Sequence, residues 1–274
     1  MINLEEFTKI KAEVDYAIKE IFIFATNNEK EKNDYYLFLC NANYVDKYKD
    51  TQISPFVVDY KMDYKIDEHR LLFLKEYLTS NYSFSESKTT SDSKNSLTME
   101  LMIYTHIWES KSFLKLLMRL HSLCLGNEYD WDLKIPNSLQ EDSKQKLIRC
   151  TIRDDFNRLK LKMSDVITNG YRSQFRNAFA HSDYSFGLKG DMIQLHNYKP
   201  NSYEVESISF DEWTKYFCYS FLLNYNLTEL YYKARSEVNS EKEVFLKNKN
   251  GDKKKGIIIY DKIYDGFSGK IIEE

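Results

Sequence analysis

The segment Tyr171-Arg172-Ser173-Gln174-Phe175-Arg176-Asn177-Ala178-Phe179-Ala180-His181-Ser182 joins a helical apolar stripe to a dense set of polar groups. Tyr171, Phe175, Ala178, Phe179 and Ser182 recur at three- and four-residue spacing, which predicts one buried helix face. At about 100° of rotation per residue, Arg176 falls on one flank of that face and His181 on the other, roughly 140° apart. Asn177 and Ala180 lie in the arc between them, so the reactive groups face outward. Arg176 and His181 can converge only if the guanidinium reaches across the Ala180 methyl, or if a second subunit packs there. Asn177 is a poor interior helix residue because its amide competes for backbone hydrogen bonds. One turn before His181, it is placed to orient the imidazole.

The surrounding sequence reads as further helices. Leu101, Tyr104, Trp108, Leu114, Leu117, Leu120 and Cys124 predict one long amphipathic helix over Leu97 to Leu125, ended by Gly126. Leu147, Ile148, Ile152, Phe156, Leu159 and Met163 predict a second over Gln140 to Ile167, with a break at Asn169-Gly170. The motif helix is expected to stop near Asp183 or Tyr184. Upstream, a helix is predicted from Leu4 to Thr26, followed by an aromatic-rich stretch from Asp34 to Lys49 and an irregular passage at Ser54-Pro55. Asp67 is read as the cap of a helix through Leu78, and the polar run Ser80 to Ser96 as a flexible loop. Downstream, Met192 to Tyr198 and Tyr203 to Phe210 read as a hairpin around Lys199-Pro200-Asn201-Ser202, and Asp211 starts a helix reaching Ser236. Glu243 to Lys247 and Ile257 to Tyr260, separated by Asn250-Gly251-Asp252, read as a second hairpin.

The composition agrees with a mainly α fold: the 274 residues are 42% hydrophobic and include only eight Gly and three Pro, too few for a turn-rich all-β chain. Cys40, Cys124, Cys150 and Cys218 form no Cys-x-x-Cys pair, which leads us to expect reduced, mostly buried thiols in a cytoplasmic protein. The apolar stretch Ile21 to Ala25 is too short to span a bilayer, so no membrane partner is expected. His106 and Glu109 could meet across a helical turn, but further metal donors are missing from their neighbourhood, and neither a metal nor a cofactor is expected. Asp154 and Asp155 point in different directions and are expected to pair with nearby Arg or Lys. His121 and His196 have no evident partner, although His196 could approach the motif in space.

The net charge of −3 conceals a basic segment, since residues 144 to 176 hold nine Lys or Arg against three Asp, an excess of six. Arg158, Lys160, Lys162 and Arg172 are the candidate RNA-contacting residues, set against the alternative of a solvated helix face. Arginine offers phosphate a planar fork of donors, and histidine can move a proton to or from a ribose hydroxyl or a leaving oxygen. The adjacent 2′-hydroxyl of RNA supplies the nucleophile, so cleavage could leave a 2′,3′-cyclic phosphate without a metal.

Arg176-Asn177-Ala178-Phe179-Ala180-His181 resembles the R-N-x-x-x-H signature of HEPN domains. The resemblance implies a HEPN-like helical bundle over residues 97–238; the signature does not explain the region before it, where the polar run ending at Ser96 sets off an N-terminal helical region and flexible loop over 1–96 that could belong to the same domain. Residues 239–274 would form a C-terminal β-hairpin extension. It also implies a metal-independent endoribonuclease of antiphage defence or toxin type, working as a homodimer whose two motifs meet. The partners would be an RNA substrate and an antitoxin or other defence component. Arg176 would bind the scissile phosphate, Asn177 would position, and His181 would transfer the proton. Since some HEPN domains lack catalysis, the alternative is a non-catalytic RNA-, nucleotide- or protein-binding module.

Overall fold

Ser209 begins the longest described helix by accepting from the Glu212 N–H at 3.2 Å, while the Glu212 carboxylate accepts from the Ser209 N–H at 3.3 Å. This capping box satisfies two otherwise unpaired donors and fixes the start of the helix at Phe210–Ser236. The helix is the central post of the computed structural model, which describes residues 2–52, 54–59, 61–82, 94–136, 143–187, 191–200, 204–263 and 266–272.

In chain order the elements are α1 (Leu4–Asn27), α2 (Asp34–Leu39), β1 (Asn43–Tyr44), a 3₁₀ turn (Asp46–Tyr48), β2 (Phe56–Val57), α3 (Lys61–Asn81), α4 (Lys94–Glu109) and α5 (Lys111–Cys124). Next come α6 (Ser143–Lys146), a π-helical segment (Leu147–Arg153), α7 (Asp154–Arg158), α8 (Met163–Gly170) and α9 (Ser173–Ala180). The chain then forms β3 (Tyr184–Phe186), β4 (Met192–Leu195), β5 (Ser207–Ser209), α10 (Phe210–Ser236), β6 (Lys242–Lys247), β7 (Lys253–Asp261) and β8 (Gly266–Ile271). The fold is mainly helical, with small antiparallel sheets. No helix among the described residues is long and apolar enough to cross a membrane.

α1 buries Val14, Ala17, Ile18 and Ile21, the stripe expected of its sequence, against α10, α5 and α8. α8 and α10 approach each other closely at Gly170. A Cβ on Gly170 would lie 3.2 Å from the Ser220 backbone nitrogen and 3.2 Å from its hydroxyl. The buried Ser220 hydroxyl donates to the Gly170 carbonyl at 2.6 Å and accepts from Trp108 Nε1–H at 2.9 Å, so three helices share one hydroxyl.

Several sequence expectations need correction. The helix expected over Leu97 to Leu125 is two helices, because Ser110 leaves the helical conformation and its hydroxyl caps α5 by accepting from the Phe113 N–H. Gly126 does end the second at φ 70°, with the Asn127 N–H reaching Ser122 O and the Gly126 N–H reaching Leu123 O, a Schellman closure. The helix expected from Gln140 to Ile167 is interrupted by the π-helical segment and again at Lys160. Lys160 adopts φ 59° while the Leu161 N–H closes back onto Phe156 O, the same closure without a glycine. The start of that expected helix, residues 140–142, lies outside the described residues.

The break expected at Asn169-Gly170 falls at Tyr171 and Arg172, which are extended; Gly170 remains helical and its smallness serves the contact with Ser220. Asp67 lies inside α3 rather than at its start. The flexible loop expected over Ser80 to Ser96 lies mostly at 83–93, outside the described residues, and its flanks are helical apart from Tyr82. Met192 and Ile193 do pair with Ser209 and Ile208, but β3 adds a third strand to the expected hairpin. The expected turn at Lys199-Pro200-Asn201-Ser202 falls partly on 201–202, outside the described residues. In the tail, β8 likewise extends the expected hairpin to three strands.

The C-terminal sheet is fastened to the helices through Asp59, whose carboxylate accepts from the Phe267 N–H and pairs with Arg235 at 2.5 Å.

Ser220→Ala removes the acceptor for Trp108 Nε1–H and the donor to Gly170 O in one step. It is expected to lower unfolding free energy by about 2–3 kcal/mol, read from urea denaturation followed by circular dichroism. A loss under about 0.5 kcal/mol would show that the shared hydroxyl contributes little.

Candidate functional site

The motif helix α9 is held on three sides. Phe175 and Phe179 pack on Trp213 of α10, with ring centroids 6.1 and 4.8 Å away, and Ala178 is fully buried beside them. Buried Gln174 clamps the helix to the strand region: its amide donates to Val205 O at 2.7 Å and its side-chain oxygen accepts from the Val205 N–H at 2.9 Å. At the start of α9, the Arg172 N–H donates to the Tyr104 hydroxyl at 2.9 Å.

The helix ends one turn earlier than expected. His181 is its C-cap, Ser182 takes the left-handed conformation at φ 59°, and the Asp183 N–H closes onto Ala178 O at 2.8 Å. His181 therefore projects from the terminus of the helix, exposed, and its ring makes no hydrogen bond or ion pair among the described residues. The Asn177 side chain, half-buried, is likewise unengaged among the described residues and is not hydrogen-bonded to the His181 imidazole.

Arg176 is treated differently. Its Nη1 lies 3.1 Å from Glu109 Oε1 at the end of α4, and the other Glu109 oxygen accepts from Lys144 Nζ at 2.5 Å. One carboxylate thus spans the motif arginine and a buried lysine. Burial raises the pKa of the neighbouring Tyr171 hydroxyl, and the Arg176 guanidinium beside it offsets part of that rise. In the sequence Glu109 stands out only as a neighbour of His106; nothing local marks it as the partner of a residue on another helix.

The basic segment is largely paired. Among the described residues at least five of the nine cations between 144 and 176 form ion pairs: Lys144 and Arg176 with Glu109, Arg153 with Asp154, Arg158 with Asp155, and Lys162 with Asp165. Both aspartates pair as expected. The RNA-contacting candidates divide into two places. Arg158, Lys160 and Lys162 gather at the turn between α7 and α8, whereas Arg172 lies at the far end of α8, about 12 Å of helix away. There Arg172 stacks over Phe175, 5.3 Å from its centroid, and lines a cleft with Lys9, Lys215 and Glu212.

His121 gains a partner that sequence separation concealed. Its Nε2 lies 2.8 Å from Asp155 Oδ2, and Arg158 reaches the other oxygen of that buried carboxylate. His196 is brought close to the end of the motif, its N–H donating to Asp183 O at 2.8 Å while its ring meets Ser185 Oγ at 3.0 Å. Among the described residues no group of three His, Cys, Asp or Glu side chains gathers that could hold a metal ion. Cys40, Cys124 and Cys218 are buried free thiols, while Cys150 is exposed.

The chain matches no protein-family model, no curated protein and no solved structure.

Burial, reinforced by the Arg158 charge, pushes the His121 imidazole from 6.5 down to about 4. Between those values the unfolded chain takes up a proton that the folded chain does not. The contribution is therefore complete above pH 6.5 and is lost as pH falls towards 4, on the order of 3 kcal/mol in all. Buried Asp34, raised to about 6, acts with opposite sign between pH 6 and 3.8. Comparison with His121→Gln cancels the Asp34 effect: the stability advantage of the unaltered chain should narrow between pH 7 and 4.5 in urea unfolding. A constant advantage over that range would mean that folded His121 titrates normally.

Proposed function

We propose that this chain is a metal-independent endoribonuclease of the HEPN type, acting in antiphage defence or as a toxin. One observation carries the reading. The fold consumes Phe175, Ala178 and Phe179 of the motif helix for its core, yet among the described residues the side chains of Asn177 and His181 make no hydrogen bond or ion pair, and His181 is open to solvent. Arg176, held by Glu109 in a fixed orientation, would meet a nonbridging oxygen of the scissile phosphate, where its planar fork is suited to two oxygens at once.

In the proposed reaction the 2′-oxygen attacks phosphorus, the 2′-O–P bond forms and the P–O5′ bond breaks. One imidazole accepts the 2′-hydroxyl proton and another donates a proton to the departing 5′-oxygen. The products are a 2′,3′-cyclic phosphate and a 5′-hydroxyl. Two imidazoles are supplied by the His181 residues of two copies, and this is why a homodimer belongs to the reading. Asn177 would hold the phosphate or the neighbouring imidazole.

The Glu109–Arg176 pair also favours a second reading, a non-catalytic RNA- or nucleotide-binding module, because a guanidinium already neutralised has less attraction left for a phosphate. Incubation with total RNA and defined tRNAs in EDTA separates the two. The first reading expects cleavage with cyclic-phosphate ends, reduced about 10²–10⁴-fold in His181→Ala with circular dichroism unchanged. RNA that is bound but left intact supports the second; cleavage undiminished in His181→Ala removes this histidine from the chemistry.

A further inference from the structure

We propose that the cleft bounded by α3, α4, α5 and α10 binds a small amphiphile with one anionic head and an acyl or aryl body, a site separate from the motif and independent of its chemistry. The cleft encloses about 420 Å³, within the roughly 300–1,000 Å³ of small-molecule sites. Its inner wall is apolar and buried, formed by Leu74, Ile103, Ile107 and Phe113. At its mouth Phe73, Met99 and Met102 are 45%, 43% and 59% exposed. Large apolar side chains gathered at the lip of an apolar cleft mark a binding surface more strongly than the same residues scattered singly. The two unbranched thioethers can adjust to an occupant.

The described polar lining of the cleft includes a guanidinium and no carboxylate. Arg70, His69 and His106 stand on the rim, and none of the described lining residues is Asp or Glu. In a chain with 42 acidic side chains against 39 Lys and Arg, a lining that gathers an arginine and two imidazoles and excludes every described carboxylate favours an anion. Arg70 Nη1 donates to the hydroxyl of Ser110 at 2.8 Å, which orients the guanidinium while leaving its other donors for a ligand. Ser110 is the N-cap of α5, a helix of 14 residues, so the positive end of the helix dipole adds to the same potential. An apolar trough with a guanidinium and two imidazoles on its rim matches a molecule that is apolar along its length and anionic at its tip. The flat, evenly apolar seam expected for a second copy of the chain would not need that polarity.

The test uses the full chain and isothermal titration calorimetry with dodecanoate below its micelle concentration, dodecyltrimethylammonium as the cationic control, and anionic phospholipid vesicles. Arg70→Gln and Met99→Asp alter exposed positions, and circular dichroism checks that both variants fold. The site expects saturable one-to-one binding of dodecanoate, at least tenfold weaker in Arg70→Gln and lost in Met99→Asp, with no binding of the cationic amphiphile. Equal binding of both amphiphiles, binding unchanged in both variants, or no binding overturns the proposal. So does vesicle binding without binding of free dodecanoate, or a dimer that Met99→Asp dissociates and that dodecanoate does not disturb.

Discussion

The arrangement depends on how closely α8 and α10 approach at Gly170 and Ser220. A Cβ at position 170 would sit 3.2 Å from the Ser220 backbone nitrogen, tighter than ordinary van der Waals contact, so glycine eases the approach at which one hydroxyl serves both the Gly170 carbonyl and the Trp108 indole. The contact fixes where α8 stops. The extended pair Tyr171 and Arg172 follows directly, and the start of α9 is thereby set against Tyr104 and Trp213. A buried carboxylate, Glu100, steadies the same layer by accepting from Trp213 Nε1–H at 2.9 Å and from the Tyr82 hydroxyl at 2.7 Å. The orientation of the motif is thus inherited from a packing contact several residues upstream of it.

Electrostatically, the surface around the motif is less basic than its sequence. Ion pairs spread over α4, α7 and α8 absorb much of the charge that a linear count assigns to an RNA path. The exposed Lys162–Asp165 pair contributes little to stability, but together with the more buried pairs it lowers the local field. Under the ribonuclease reading, attraction of substrate would rest on fewer cations and on orientation by Arg176, and affinity would depend on geometry more than on bulk charge.

What the sequence made legible was the apolar periodicity and the helix stops that use familiar residues. Gly126 announces its stop; Lys160 and Ser182 make the same left-handed closure with side chains that carry no such signal, so helices ending there were read as longer. Ser110 is a good cap in the middle of an apolar rhythm that continues across it, and the rhythm dominated the reading. Strands were found where apolar residues alternate, as at Ile193 and Ile208, and missed at β3 and β8, whose pairing is decided by neighbours distant in the chain. The core face of the motif helix was readable residue by residue. Glu109 and the His121–Asp155 pair were not, because each joins helices whose relation only tertiary packing defines.

The fastening of α1 carries a further consequence. Two of its polar partners lie far along the chain: the Tyr219 hydroxyl donates to Glu13 at 2.5 Å across 206 positions, and Asn226 donates to Asp15 at 2.6 Å across 211. During synthesis the apolar stripe of α1 leaves the ribosome long before α10 exists to cover it. Contacts of such long range form slowly, and exposed apolar helices are prone to association while they wait. α1 thus meets α5 and α8 first and its α10 contacts last, so closure of the bundle waits on the helix that comes latest in the chain.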